Sequence, residues 1–563
     1  MALSIIANAV GTQVLAGAPS PELDDVYSAA AQEQARALID TVPGSGPVRG
    51  AWRYNGDTYA FRDNAPGTEC DMWKSTTQGW DLVDKRDRVQ FDTGTINFTA
   101  GATLTGSISM ATATIIKVIN TTGDGTGIIT DGTIVHDQLT GEFIPGDILT
   151  DDAGGAAVAA SNGGPTVLQP GGYFEFVNFN FSGNVDTFNM YGCDGVSNAF
   201  EFDGDVFAPI YTGRPVDTPK YIEVHENHLF LTFPGGGLQN SGPTLPFNWE
   251  PAFGAAEFGF GAEMTGLLSM TGALVVTSTN NTKVLYGAAK ADFVFKNFLR
   301  ESGARDRTFI DMGIARVFLD ASGLRKLSAT QAFGDFAVSD ISALIKPIFD
   351  GDKKTGRMYN AATYVKDKNE YLLFSDNSEN IICDLSGKTM EFMLSDLGFE
   401  VKYASTSEDN DGTEWVLIGG DDGYVYQYNS GNRFDDLPIS AYLHFAFDHF
   451  GTPALNKGFH SIEIEGDAAP TLDLRVSAQF NYGDPALPQQ FGQVLEVFGG
   501  GGNWGEANWS EFFWGSQVEG QAKADIKGSG ANIGIVLASV SAYESAHTLS
   551  ARRINYTKRG VIR

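Results

Sequence analysis

Along most of the chain, apolar and polar positions alternate with a period of two, in short runs broken by turn residues. The stretch "GAWRYNGDTYAF" from Gly50 is the clearest case. Asn55-Gly56 supplies the two positive-φ positions of a type I′ turn, which predicts a hairpin. The same layout returns at 187–204, 273–287, 316–328, 370–387 and 414–431. Each predicts two strands rich in Val, Ile, Tyr and Phe around a polar turn. The last four turn centres fall near 280, 321, 378 and 421. Those intervals match a four-stranded propeller blade, on the order of 40–50 residues. A β-sandwich would not repeat so often. The expected fold is therefore all-β: a β-propeller of about six or seven blades across 46–442.

Three segments break the repeat. Residues 1–45 carry an arm and one helix, in "SPELDDVYSAAAQEQARALIDTVPGSG". Ser20 is a candidate N-cap and Pro21 starts the first turn. Leu23, Val26, Ala30, Ala35 and Leu38 lie along one face, and Pro43-Gly44 stops the helix after about 20 residues. A first blade is expected at 46–88. From Val89 to Gly172 the chain turns rich in Thr, Gly and Ala, with one lysine, Lys117, and few aromatics. Alternation continues too long for a loop, so 89–172 is expected to be a small inserted β-domain. The other blades occupy 173–442, with short helical pieces near 338–346. Residues 443–563 form a C-terminal β-domain. It opens on two long strands in "FHSIEIEGDAAPTLDLRVSAQFNYG" and ends in three strand-like runs.

The segment "HENHLFLTFPGGGLQNSGPTLPFNW", 225–249, starts as a strand and breaks into three glycines and a loop. The loop closes on Phe247 and Trp249. It is expected to link two strands of one blade, with "PFNW" anchored by aromatic burial. The glycines at 235–237 then give flexibility, because no helix follows to hold a phosphate. His225 and His228, three apart in one strand, are expected on opposite faces in structural roles.

A chain of 563 residues with 42% apolar residues and 67 glycines can bury large cores joined by tight turns. The net charge of −31 excludes general nucleic-acid binding, which needs phosphate neutralisation. Cys70, Cys193 and Cys383 show no CxxC spacing and are expected as buried free thiols. The N-terminus lacks the basic start of a signal peptide, and no apolar run is long enough to span a membrane. No nucleophile elbow, P-loop, dinucleotide fingerprint or zinc-protease motif occurs. The acidic turns at 203–207 and 407–415 lack the full ligand set of a calcium loop. No catalytic residue, cofactor or metal ligand is therefore assigned, and a non-enzymatic protein is expected.

The strongest charge asymmetry is the basic end, with Arg552, Arg553, Lys558, Arg559 and Arg563. With Trp504, Trp509 and Trp514 in a glycine-loosened stretch, these are the candidate subunit contacts.

The run from Tyr221 to Gly287 resembles the propeller region of tail nozzle and hub proteins of short-tailed, podovirus-like double-stranded DNA bacteriophages. The resemblance rests on Asn227, Leu229, Phe230, Phe247, Asn248 and Trp249, then on Gly266, Leu267, Leu274, Val275, Thr277, Leu285 and Gly287. His228 stands where that family carries a basic residue. The closing segment "KGSGANIGIVLASVSAYESAHTLSARRINYTKRG" is similar to the family's final strands. The resemblance implies a structural virion protein, made in the host cytoplasm and built into the tail. It implies a homo-oligomeric ring, a hexamer, below the head-to-tail adaptor and in contact with tail fibres or spikes. Its lumen would retain the genome and then pass double-stranded DNA, and an acidic wall would not trap that polyanion. The alternatives are a neck or baseplate component of another tailed phage, and a propeller that binds or hydrolyses glycans. The glycan alternative requires a carboxylate-lined pocket on the propeller axis.

Overall fold

The computed structural model describes residues 3–4, 40–123, 127, 129–184, 188–313, 315–329, 336–387, 390–409, 411–430, 433–434, 437–467, 471–483, 490–498, 519–540 and 548–561. The predicted helix at 20–42, the three tryptophans at 504–514 and Arg563 lie largely or wholly outside these residues.

Seven antiparallel sheets follow one another as propeller blades. Blade 1 runs Ser45–Tyr54, Asp57–Asp63, Cys70–Thr76 and Gly79–Leu82. Blade 2 starts at Glu175–Phe179, blade 3 at Tyr221–His225 and blade 4 at Met264–Met270. Blade 5 starts at Ile310–Asp311, blade 6 at Tyr359–Val365 and blade 7 at Val401–Glu408. Blades 1 to 6 have four strands each. Blade 7 has three among the described residues, ending at Val425–Tyr428.

The ring is visible in the packing. Each junction between neighbouring blades has its own apolar cluster. Phe61 meets Phe200 between blades 1 and 2, and Tyr191 meets Leu229 between blades 2 and 3. Phe230 meets Leu274, Val275 meets Phe318, and Val317 meets Tyr371 at the next three. Leu372 meets Val416 between blades 6 and 7, and Tyr403 meets Ala51 where blade 7 returns to blade 1. A blade is thus covered on both faces. That is why the second strands His228–Phe233, Ala273–Ser278 and Glu370–Ser375 are buried at every position.

The closing junction uses side chains and one backbone bond. Ser405 Oγ donates to Ala51 O at 2.7 Å, and Arg53 Nε donates to Asp409 Oδ2 at 2.9 Å. Val42 N donates to Gly423 O at 3.1 Å. Gly419 lies against blade 1, and a Cβ there would come within 2.7 Å of Val48 Cβ.

The expected turns near 280, 321, 378 and 421 are the middle hairpins of blades 4 to 7. The widest interval holds the helix Lys346–Thr355, which has Pro347 in its first turn and Gly356 as left-handed cap. It begins where the short helical pieces near 338–346 were expected to end. Two local expectations are corrected. His225 and His228 are not on one strand. They face each other across a two-residue turn, because Glu226 and Asn227 adopt φ of 48° and 60°. The glycines at 235–237 are not slack: they form the tight turn between Phe233 and the third strand Gly237–Asn240. Gly236 has φ of 85°, and a Cβ there would approach Ala262 O to 2.5 Å. The long loop therefore begins after Asn240.

The insert spans Asp87 to Pro165. Its strands close on themselves, with Ala156–Ala159 pairing back onto Asp87–Ile96, so six strands form a small barrel without open edges. Phe91, Leu104, Ile115, Phe143 and Leu149 fill it. It docks on blade 2 through Ile119 and Val135 against Val206 and Ala208. Lys117 Nζ donates to Glu201 Oε1 at 3.0 Å and to Asp203 Oδ2 at 2.9 Å. Burial would lower the Lys117 pKa, but those two carboxylates outweigh it and raise it.

The C-terminal domain is a sandwich of two four-stranded sheets. Phe459, Ile462, Ile464, Leu474, Val476 and Phe480 dominate its core. Leu3–Ser4 pairs with Thr548 and Leu549, so the chain's first residues join its last strand.

Two outcomes follow from this packing. Gly419→Val should overpack the closing junction by about 1–3 kcal/mol, read as a lower melting transition of the propeller. Lys117→Met leaves Glu201 buried without its cation and should weaken insert docking by about 1–3 kcal/mol. Hydrogen exchange should then speed up at Phe207–Pro209 while the barrel strands keep their protection.

Candidate functional site

The inner strands of the blades face the axis, and their two ends differ. At their N-terminal ends the axis is plugged. The Arg307 guanidinium lies 3.7 Å over the Tyr173 ring, and Tyr173 packs on Tyr403 with ring centres 4.9 Å apart. Tyr221 Oη donates to Asp306 Oδ1 at 2.5 Å, and Lys220 Nζ donates to the same oxygen at 2.8 Å. Glu175 lies in this plug. Burial pushes its carboxyl up to about 7, against the pull of Arg307.

At the C-terminal ends the strands splay around a cavity of about 370 Å³. That is within the usual range for a ligand pocket, about 300–1,000 Å³. Aromatic walls come from Trp52, Tyr54, Phe176, Phe188 and Tyr364; polar groups come from Asn178, Glu223, Thr406, Ser407, Glu408 and Asp409. Five blades contribute. Trp52 stacks on Phe176 at 5.5 Å and donates from Nε1 to Asn178 Oδ1 at 2.9 Å, so the indole and the amide hold each other in place. Tyr54 Oη donates to Phe188 O at 2.7 Å, fixing the rim.

The carboxyls are not equivalent. Asp409 pairs with Arg53, and Glu408 pairs with Lys366. Among the described residues no cation pairs with Glu223, whose Oε1 accepts from Val224 N at 3.0 Å. Burial pushes Glu223 up to about 7; the backbone N–H groups of Val224 and Ser269 oppose this, and Asp311 adds to it. Ser407 is 5% exposed, lines the cavity, and its Oγ has no hydrogen-bond partner. A second cleft, beside Asp352, Arg357 and Tyr359, holds about 10 Å³, room for a single water. Among the described residues no His, Cys, Asp or Glu cluster could hold a metal ion, and the three cysteines are buried free thiols.

The signature residues are structural. Asn227 makes the left-handed turn, and its carbonyl accepts from Thr244 N at 2.8 Å. Leu229 and Phe230 face opposite blade junctions. Phe247 belongs to the blade 2–3 core and also touches the insert's docking cluster. Trp249 is buried beside it and donates from Nε1 to Pro246 O at 3.1 Å, while Asn248 Oδ1 accepts from Glu250 N at 3.0 Å. Gly266 allows blade 5 to approach, since a Cβ there would come within 2.9 Å of Phe309 Cβ. Leu267 packs between blades 3 and 4. His228 is buried, with Nδ1 2.6 Å from Ser241 O. It cannot serve as a surface cation.

The basic residues lie on Thr548–Val561. This strand pairs along its length with Leu455–Asp467. Its other edge is paired only at Thr548 and Leu549 among the described residues. Arg552 stacks over Phe445 at 4.0 Å, and Arg553 pairs with Glu463 at 3.0 Å. Lys558 and Arg559 are exposed and form no ion pair among the described residues.

The cavity residues escaped sequence reasoning, because they meet only once the ring closes. One signal was present: Glu223 is a charged residue inside the apolar run "YIEVHENHLF", on the first strand of a blade.

No protein-family model and no curated protein matches this chain. Solved structures align with it only at low scores. The computationally designed Ika8 protein covers 69% of this chain and 98% of its own, at 8% identity and a TM-score of 0.31. The C-terminal WD40 domain of Sif2 covers 70% and 99%, at 10% identity and 0.31. BamB from Moraxella catarrhalis covers 61% and 97%, at 10% identity and 0.30. At such scores the propeller rests on its own strand order and inter-blade cores.

The Glu223 environment has a pH consequence. A carboxyl whose native pKa is raised from 4.5 to about 7 takes up a proton on folding. Its stabilising contribution is full below the unfolded value and is lost as pH rises through about 7. Glu175 and Glu370, also near 7, act in the same window. Between about pH 5 and pH 8, the wild type should therefore lose more melting temperature than Glu223→Gln.

Proposed function

We propose that this chain is a structural subunit of the tail of a short-tailed bacteriophage, a nozzle or hub that assembles with copies of itself into a ring. The observation that carries the reading is the basic edge of the C-terminal sandwich, open from Ser550 onward among the described residues. An unpaired strand edge is a template for another chain. Here it carries Lys558 and Arg559 without acidic partners among the described residues. The chain as a whole has 69 acidic and 38 basic residues, so a second copy offers mostly negative surface to meet that edge. The signature residues between Asn227 and Leu267 support the same family, because they act as a turn former, a close-approach glycine and core wedges.

In this reading DNA does not pass through the propeller. The axis is blocked by Arg307, Tyr173 and Tyr403, and one groove of B-DNA is already about 12 Å wide. The genome's path is the space enclosed by several copies. Ring size, the adaptor above it and the fibres or spikes around it come from the resemblance.

The glycan alternative has one observation in its favour, the axial cavity with its aromatic walls and carboxyls. Two of those carboxyls are already neutralised by Arg53 and Lys366.

Mass measurement and negative-stain imaging of the purified protein should show a ring-shaped oligomer. Lys558→Glu with Arg559→Glu should dissociate it, and so should high salt, which screens exposed charges within about 3 Å at 1 M. A monodisperse monomer that neither assembles with other tail proteins nor occurs in purified virions would sink the proposal.

A further inference from the structure

We propose that the axial cavity is a binding site for an alkylammonium group, held by Glu223 between aromatic walls. Three observations combine. The cavity has the volume of a ligand site and opens at the C-terminal ends of the inner strands. Its one carboxyl without a cation among the described residues is Glu223. Its one buried hydroxyl without a hydrogen-bond partner is Ser407 Oγ, on a side chain 5% exposed.

The chemistry selects the ligand. An ammonium head has three donors and no acceptor. Ser407 Oγ and the Glu223 carboxylate can each accept one of them. Trp52, Phe176 and Tyr364 present ring surface, which attracts a cation and also packs an aliphatic stem. The rest of the wall agrees in sign. Asp409 and Glu408 are matched one-to-one by Arg53 and Lys366, whereas Glu223 is met by backbone N–H groups and by no cation among the described residues. An anion would meet three carboxyls. A neutral sugar would leave Glu223 without a cation.

The ammonium could be carried by a free amine or by a lysine side chain of another chain. The chemistry is shared, and the test separates the two sources. It also stands apart from tail assembly, because the cavity lies within one copy.

Isothermal titration on the full chain would use n-butylammonium and tetramethylammonium as probes, with glucose and acetate as controls. Both cations should bind. Glu223→Gln should weaken them at least tenfold, and Ser407→Ala should weaken n-butylammonium more than tetramethylammonium, which donates no hydrogen bond. Glu223→Asp is the second variant, should the glutamine change disturb folding, and it should retain part of the affinity. Cadaverine and the peptide Gly-Gly-Lys-Gly-Gly then separate the sources: preference for the diamine marks a free amine, and preference for the peptide marks a partner's lysine. The proposal fails if neither cation binds, if binding is unchanged in Glu223→Gln, or if glucose binds and the cations do not.

Discussion

A blade with two apolar faces has no stable position except between two other blades, and this constraint organises the molecule. Seven junction cores satisfy it, from Phe61–Phe200 round to Tyr403–Ala51. The last junction is the most demanding, since it brings together residues more than 350 positions apart in the chain. Loop closure on that scale costs entropy before any contact repays it. The contacts that repay it are specific: Ser405 to Ala51 O, Arg53 to Asp409, and Gly419 making room for Val48. They also set the axis. Arg53 holds Asp409 on the cavity rim, so ring closure and the shape of the cavity are one arrangement.

Local features of the fold were legible where a turn needs a particular backbone. Asn55-Gly56 occupies the positive-φ positions the sequence implies, at 50° and 81°. The four late turn centres fall on equivalent hairpins because each blade repeats one strand order. Legibility failed where an ordinary residue takes an unusual conformation. Glu226-Asn227 is not a strong turn signal, yet it turns the chain, so His225 and His228 were assigned to one strand. A strand between two blades has no solvent face, so 228–233 is buried at every position. The three glycines looked slack, but Gly236 is fixed by the approach of Ala262. The cavity left one trace in the sequence, the charged Glu223 inside an apolar run. Trp52, Asn178, Glu223, Tyr364 and Ser407 are scattered over five blades, and no spacing in the sequence relates them.

The two added domains use opposite solutions to the edge problem. The insert closes into a barrel and offers no free strand. It is then tied to blade 2 by Lys117 and wedged by Phe247, which belongs to the core of the neighbouring blades as well. The loop that carries "PFNW" is therefore a joint between domains. The C-terminal sandwich leaves an edge open from Ser550 onward among the described residues. Lysine and arginine on such an edge discourage pairing with a like copy of the same strand. They do not discourage an acidic partner, which the rest of the chain supplies in excess.

Assembly and binding would then occupy different parts of one subunit. The open edge lies on the C-terminal sandwich; the cavity lies among the inner strands of the propeller. The plug between Arg307, Tyr173 and Tyr403 occupies the far end of the axis. Binding there would add a cation beside Glu223 and remove the cost of holding that carboxylate unpaired in a low-dielectric site. The carboxyl would ionise at lower pH, and the inner strands of blades 2, 3 and 7 would gain a shared partner. Among the described residues none of the sandwich lines the cavity, so binding there would leave the sandwich edge as it is.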